Sequence, residues 1–313
     1  MKADNKVAMD TRKFADNLIF TNSAREAFTH VLQNITVNLG KLNVLMPSYI
    51  GITDREGSGV FDPIENAKCN ASFYLLNDRL EIDMNYLTNL IANDKFHVLL
   101  VIHYFGICQN NMEAIRELCN QNGILLIEDC AHAFHIGMPE QKLGIVGDYA
   151  FYSVHKYLPV KSGGILKVNA SKFDLSKINA DVAMETEVLE QIIKTDYVSV
   201  ANKRRENFLL YTSQLKDLDQ IAIMYELDDV AIPQTFPILV HENLREKLYF
   251  YLIERDFPVV ALYYRMIEEI DKTKFPISYK VANDILNLPV HQDVDSSDIT
   301  NLCDAIKSFY SQL

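Results

Sequence analysis

The stretch HVLLVIHYFGICQNNMEAIRELCNQNGILLIED, residues 97–129, decides the fold. It opens with a continuous apolar run, HVLLVIHYFG (97–106), and closes with another, GILLIED (123–129). Between them, Met112, Ile115 and Leu118 recur at helical spacing, and Gly123 is placed to end the helix. Strands that are apolar without alternation need cover on both faces of their sheet. Strand–helix–strand units of this kind build a mostly parallel α/β sheet.

Similar runs lie on both sides. NVLM (43–46), stopping at Pro47, reads as a buried strand, as do YAFYSV (149–154) and GILKV (164–168). Residues 172–218 read as mostly helical, and the basic run in ANKRRENFLLYTSQL (201–215) reads as a solvated helix face rather than a phosphate contact. Beyond them QIAIM (220–224), TFPILV (235–240) and FPVVALYY (257–264) read as strands, with a helix near 242–255 and a capped helix at the end, SSDITNLCDAIKSFYSQL. This predicts a large α/β domain over residues 1–195 and a smaller α+β domain over 196–313. Ligands of open parallel sheets bind at the carboxyl ends of the strands. The residues there are Pro47-Ser48-Tyr49, His103-Tyr104-Phe105-Gly106, Glu128-Asp129 and Ser153 to Lys156.

Composition narrows the function. The 313 residues are 49% apolar and 23% charged, enough for sizeable cores. A formal charge of −12 argues against binding nucleic acid through phosphate contacts, while leaving room for a small anionic ligand in a local pocket. The five cysteines, at 69, 108, 119, 130 and 303, include no CxxC pair, so neither a disulfide framework nor a metal site is expected. The most apolar run is too short to span a bilayer, and MKADNKVAMDTRK has no signal-peptide core, so the expectation is a soluble cytoplasmic protein with no membrane partner.

Three features could carry chemistry. Asp129 ends a buried strand, where a carboxylate is costly unless paired; taken alone, it reads equally as a cap. Lys156 follows the next strand and, taken alone, reads as a loop lysine. Asn22 or Ser23 is placed to cap a helix whose first backbone N–H groups favour an anion. Arg25 in that first turn opposes the helix dipole, which a bound anion would offset. An acid, a lysine and an anion-ready helix start match the pyridine nitrogen, aldehyde and phosphate of pyridoxal 5′-phosphate, with Ser153 as a further phosphate donor.

IEDCAHAF, then GDYAFYSVHK, then a glycine pair, resembles the DegT/DnrJ/EryC1/StrS family of sugar aminotransferases, which are fold-type I pyridoxal-phosphate enzymes. SAREAF, VLMPSYIGIT and LNLPVHQDVDSSDI are similar to further family segments and occur in the family's order. The resemblance implies that Asp129 pairs with the pyridine nitrogen and His132 lies near the ring oxygen. It implies that Lys156 forms the Schiff base, and that Ser153 and the backbone at Ala24 and Arg25 hold the phosphate. Tyr49 is the candidate for ring stacking, although Gly51 stands where many members carry that aromatic. Glutamate as amino donor, a nucleotide-linked keto sugar as acceptor, and a homodimer are likewise implied. The chain is shorter than most members and lacks a Gly-Tyr-Asn-x-Arg-like segment after the lysine block. That departure motivates an alternative: a relative that keeps the fold but binds a ligand or partner, or runs another reaction.

Overall fold

The computed structural model describes residues 17–54, 57–133, 142–170 and 184–313. The stretch 97–129 folds as β4 (Val98–Ile102), α4 (Met112–Asn122) and β5 (Leu125–Cys130), following β1 (Leu18–Thr21), α1 (Ala24–Leu39), β2 (Asn43–Pro47), α2 (Asp62–Asn66), β3 (Asn70–Tyr74) and α3 (Met84–Asn93). Every residue of β4 and β5 is buried, as unbroken apolar runs require. Asn111 caps α4 by accepting from the Ala114 N–H at 3.0 Å, and Gly123 ends it in the left-handed region at φ 67°. The face of α4 turned inward carries Met112, Ile115 and Cys119, with Leu118 half-buried at its margin.

With β6 (Tyr149–Ser153) and β7 (Gly164–Val168), these strands form one seven-stranded sheet in the order β1-β7-β6-β5-β4-β2-β3. The block from β3 to β6 is parallel, and β7 runs antiparallel to both β6 and β1. The carboxyl ends of β1, β2, β4, β5 and β6 therefore share one edge. Two strands escaped the sequence reading. β3 is the sheet's outer strand and mixes exposed with half-buried positions, so NASFY carries no apolar run. β1 is a four-residue strand that, among the described residues, pairs with β7 alone.

Beyond residue 184 come α5 (Thr186–Lys194) and α6 (Tyr197–Leu215). A three-stranded antiparallel sheet follows, ordered β10-β9-β8, from β8 (Ile221–Ile223), β9 (Thr235–Val240) and β10 (Ile285–Pro289). It packs with α7 (Arg245–Ile253), α8 (Pro276–Asp284) and α9 (Ser296–Ser311), the last opened by an Asp295–Asp298 capping box. The strand expected at 257–264 is a correction. Only Val260 bridges to Asn287, and the chain then leaves this sheet to bridge Gly51 through Met266. Part of the helical expectation, 171–183, lies outside the described residues. Among the described residues, no helix is long and apolar enough to cross a membrane.

Thr21, Gly164 and Ser153 lie in one row across β1, β7 and β6. Loop bonds extend the row: Gly163 N–H donates to Asn22 O at 2.7 Å, and Val154 N–H to Gly163 O at 2.9 Å. The start of α1 consequently lies against Gly164, where a Cβ would overlap the Ser23 carbonyl and the Ala24 nitrogen. The glycine pair thus lets α1 approach the end of β6. Gly164→Ala should destabilise the fold by about 1–3 kcal/mol, as overpacking does, measured by urea unfolding of the full chain.

Candidate active site

Parallel pairing sets Asp129 of β5 beside Phe151 of β6, two residues before that strand ends at Ser153. Asp129 is 2% exposed, and its Oδ1 accepts from the Ala131 N–H at 2.8 Å. Burial pushes its carboxyl up to about 6, against the opposing pull of that N–H and of the positive charges on Lys156 and His103. The carboxylate therefore sits in a place that charges it at some cost, with a lysine within electrostatic reach.

Lys156 is half-buried in the turn after β6, where Val154 O accepts from both Tyr157 N–H and Leu158 N–H at 3.0 Å. Tyr157 pins this turn: its hydroxyl donates to His132 O at 2.6 Å and to Ile232 O at 3.2 Å. Ser153 is buried, with its hydroxyl 3.2 Å from His155 Nδ1. Ser23 Oγ caps α1 by accepting from the Glu26 N–H at 3.2 Å, which places Ala24 and Arg25 at the first two helical positions beside this row. The Arg25 side chain pairs with Asp62 at 3.1 Å. An internal carboxylate therefore offsets the charge that the sequence reading assigned to a bound anion.

His132 is 2% exposed, and its Nδ1 accepts from the Phe105 N–H at 3.2 Å. Burial, reinforced by the charge of Lys156, holds the ring well below its ordinary range, so at neutral pH the proton resides on Nε2. The same edge therefore offers a carboxylate, an Nε2–H donor, a lysine and a capped helix start. That donor set fits a planar phosphorylated pyridine.

Tyr49 is fully buried, with its hydroxyl donating to Leu262 O at 2.7 Å and its carbonyl accepting from Tyr104 at 2.6 Å. The basic run on α6, read from sequence as a solvated face, is a correction at Arg204. This residue is buried over the Tyr157 ring at 4.2 Å, with Nε donating to Gln292 at 3.1 Å and NH1 to Pro233 O at 3.3 Å. Gln292 in turn donates to Tyr157 O at 2.9 Å, so the C-terminal part of the chain holds the lysine turn in place.

With this geometry in view, comparison with known proteins identifies the chain. The profile of the DegT/DnrJ/EryC1/StrS aminotransferase family matches residues 15–176 and 167–307. The chain belongs to this family. It is similar to GDP-perosamine synthase of Vibrio cholerae, 23% identical over 263 residues, covering 70% of this chain and 68% of that protein. It is also similar to dTDP-3-amino-3,6-dideoxy-alpha-D-galactopyranose transaminase of Aneurinibacillus thermoaerophilus, 22% identical over 238 residues, 67% of this chain and 65% of that one. In fold it matches Helicobacter pylori PseC, an aminotransferase involved in the biosynthesis of pseudoaminic acid, with TM-score 0.76 at 17% identity, covering 96% of this chain and 89% of that one. DesV of S. venezuelae, solved in complex with a ketimine intermediate, superposes with TM-score 0.75 at 16% identity, covering 96% and 86%.

Beneath the site, this aminotransferase carries a second buried acid that sequence reasoning did not single out. Glu128 bonds His103 Nε2 at 2.7 Å and accepts from the N–H groups of Gly144 (2.9 Å), Val146 (2.8 Å) and Gly147 (2.6 Å). Burial opposes charge on both partners. Cys108 and Glu128 nevertheless raise His103 to about 9, while His103 and the backbone donors bring Glu128 below its ordinary value. His103, Glu128 and Cys130 lie within 4.8 Å of one another, yet Glu128 is fully committed, which makes this a structural ion pair rather than an open metal site. The backbone continues the β4–β5 pairing beside this ion pair, with the His103 main-chain N–H donating to the Asp129 main-chain carbonyl at 3.0 Å.

Two outcomes follow from these charges. Glu128→Gln should cost about 3–5 kcal/mol in denaturant unfolding, because His103 and three N–H groups lose their counter-charge. Asp129 behaves in the opposite sense. With its folded value raised, the contribution of Asp129 to apoprotein stability is fully present below about pH 4 and is lost as pH rises through about 6. Asp129→Asn preserves the Ala131 acceptor, so apo Asp129→Asn should exceed apo wild type by on the order of 2–3 kcal/mol above pH 7 and match it near pH 3. A pH series of urea melts on apoprotein reads this difference.

Proposed function

We propose that this aminotransferase uses pyridoxal phosphate to move an amino group from glutamate to a nucleotide-linked keto sugar, in the making of an amino sugar. The supporting observation is the placement of an under-compensated buried Asp129, a neutral His132 and Lys156 at one sheet edge. GDP- and dTDP-linked sugars appear in the names of two relatives, which makes them the acceptors to try first. We place the division between the cofactor-binding domain and the smaller domain near residue 195. The assembly we propose is a homodimer, the commonest closed oligomer.

Each residue has a role in this reading. Asp129 holds a proton on the pyridine nitrogen, and the positive charge there relieves the cost of burying its carboxylate. His132 Nε2 donates to the ring oxygen. Ser153 Oγ and the backbone at Ala24 and Arg25 bind the phosphate, which sits in the positive field of α1. When bound, pyridoxal phosphate supplies an electron sink for negative charge at the carbon losing or gaining nitrogen. Lys156 would hold the cofactor's aldehyde carbon and would be the group placed to carry a proton there. The Tyr157 and Arg204 contacts keep the lysine turn oriented toward the ring.

The test is the visible absorption of purified protein incubated with pyridoxal phosphate, followed by borohydride reduction and peptide mapping. The expected result is a yellow protein whose reduced adduct maps to Lys156 and whose spectrum changes on adding glutamate. Lys156→Ala should lose the adduct and lower turnover by about 10²–10⁴-fold or more. A Lys156→Ala protein that turns over at the wild-type rate would rule this reading out.

A further inference from the structure

Gly51 leaves a space at the cofactor edge, and a distant residue fills it. A Cβ built on Gly51 would fall inside the side chain of Tyr263, with the ring's Cγ and Cδ1 and the Cβ of Tyr263 all overlapped. Gly51 is not among the positive-φ glycines, so its backbone would accept a side chain; the Tyr263 ring is what excludes one.

The ring is held there from both sides. Ile52 N–H donates to Arg265 O at 3.0 Å and Ile267 N–H to Ile50 O at 3.1 Å, pairing segment 50–52 with 265–267 around the Gly51–Met266 bridge. On the other side, Leu262 N–H reaches Asn287 Oδ1 at 3.3 Å, and Leu262 O accepts from Tyr49. Between these anchors Tyr263 adopts φ 59°, a left-handed conformation that a bulky residue adopts only under constraint. Phe105, at φ 59°, shares this feature, and both rings adjoin His132: Phe105 at 6.1 Å and 27°, Tyr263 at 6.2 Å and 30°.

Tyr263 also senses the acid. Burial first, and then the negative charge of Asp129, raise its hydroxyl above the ordinary tyrosine value. Tyr49 is placed differently. Its ring is inclined 59° to Tyr263 and 65° to Tyr104, and turning it would break the bond to Leu262.

We propose that Tyr263, supplied from the C-terminal part of the chain, is the aromatic that covers the cofactor ring, standing in for the side chain that Gly51 lacks. It replaces Tyr49 in that role, and it rests on the pyridoxal-phosphate reading above. An aromatic face against a pyridinium ring gives both apolar burial and electrostatic attraction. Because Tyr263 is anchored both to the end of β2 and to β10, cofactor binding then depends on how the smaller sheet sits against the larger one.

The experiment measures pyridoxal-phosphate affinity of the full-length apoprotein by absorbance titration, together with visible circular dichroism of the bound cofactor. Tyr263→Phe should bind within about twofold of wild type, while Tyr263→Leu and Tyr263→Ala should bind roughly 3- to 10-fold more weakly, with altered visible dichroism. The double variant Gly51→Phe/Tyr263→Ala, which returns a ring to the vacated space from the other segment, should regain affinity to within about threefold. Urea melts of each apoprotein separate misfolding from lost stacking, and Tyr263→Leu keeps most of the side-chain volume. Unchanged or tighter binding by a folded Tyr263→Ala would mean that the ring merely packs over, or occludes, the site, and would overturn the inference. A wild-type protein that takes up no pyridoxal phosphate would overturn the cofactor reading and this one together.

Discussion

Two adjacent buried carboxylates on one covered strand set the terms for everything around them. Glu128 and Asp129 are consecutive on β5, so their side chains point to opposite faces of the sheet. Neither can be ionised there without compensation. Glu128 receives three backbone N–H groups and a histidine, and its carboxyl falls below the ordinary value. Asp129 receives one N–H from Ala131, and its carboxyl rises to about 6. The first acid is satisfied by the protein itself and ties the 144–147 loop to β4 and β5. The second is left short of positive charge at the ligand edge. Under the proposed function, a protonated pyridine ring supplies that charge.

The aromatic groups nearby follow from the same economy of space. The Phe105 N–H fixes the tautomer of His132, and Phe105 itself lies in the left-handed region. Tyr263 makes the same backbone excursion to bring its ring over Gly51. Two strained aromatic residues beside one histidine match the tendency of backbone strain to collect at functional sites. Positive φ also occurs away from this site, at Lys68, Leu80, Glu242, Asn243 and Asp256, while β4 and β5 are buried along their whole length.

The lysine turn is positioned from both ends of the chain. Tyr157 bonds the loop after β5 through its hydroxyl and is covered by Arg204 from α6. Gln292, just past β10, closes the group by bonding both Arg204 and the Tyr157 carbonyl. A cation and one side-chain amide that look like surface chemistry in the sequence thus orient this turn. The three-stranded sheet contributes here to where the lysine points, and through Tyr263 to what faces the ring.

Much of the fold was legible in short stretches of sequence. Unbroken apolar runs at 43–46, 97–106, 123–129, 149–154 and 164–168 could only be strands covered on both sides, and the helix between the second and third forced a parallel crossover. That connectivity alone brings Asp129 and the residues around Lys156 to one edge, because parallel strands end on the same side. Edge strands β1 and β3 escaped notice because an edge needs little apolar surface. What the chain order could not decide was contact across long separations. Whether Glu128 or Asp129 is the satisfied acid depends on loop N–H groups at 144–147. Whether Arg204 faces water depends on Tyr157 and Gln292, and which aromatic fills the place above Gly51 depends on a segment that returns from the second sheet. Periodicity reports which face of an element is buried; only the folded chain determines which atoms meet there.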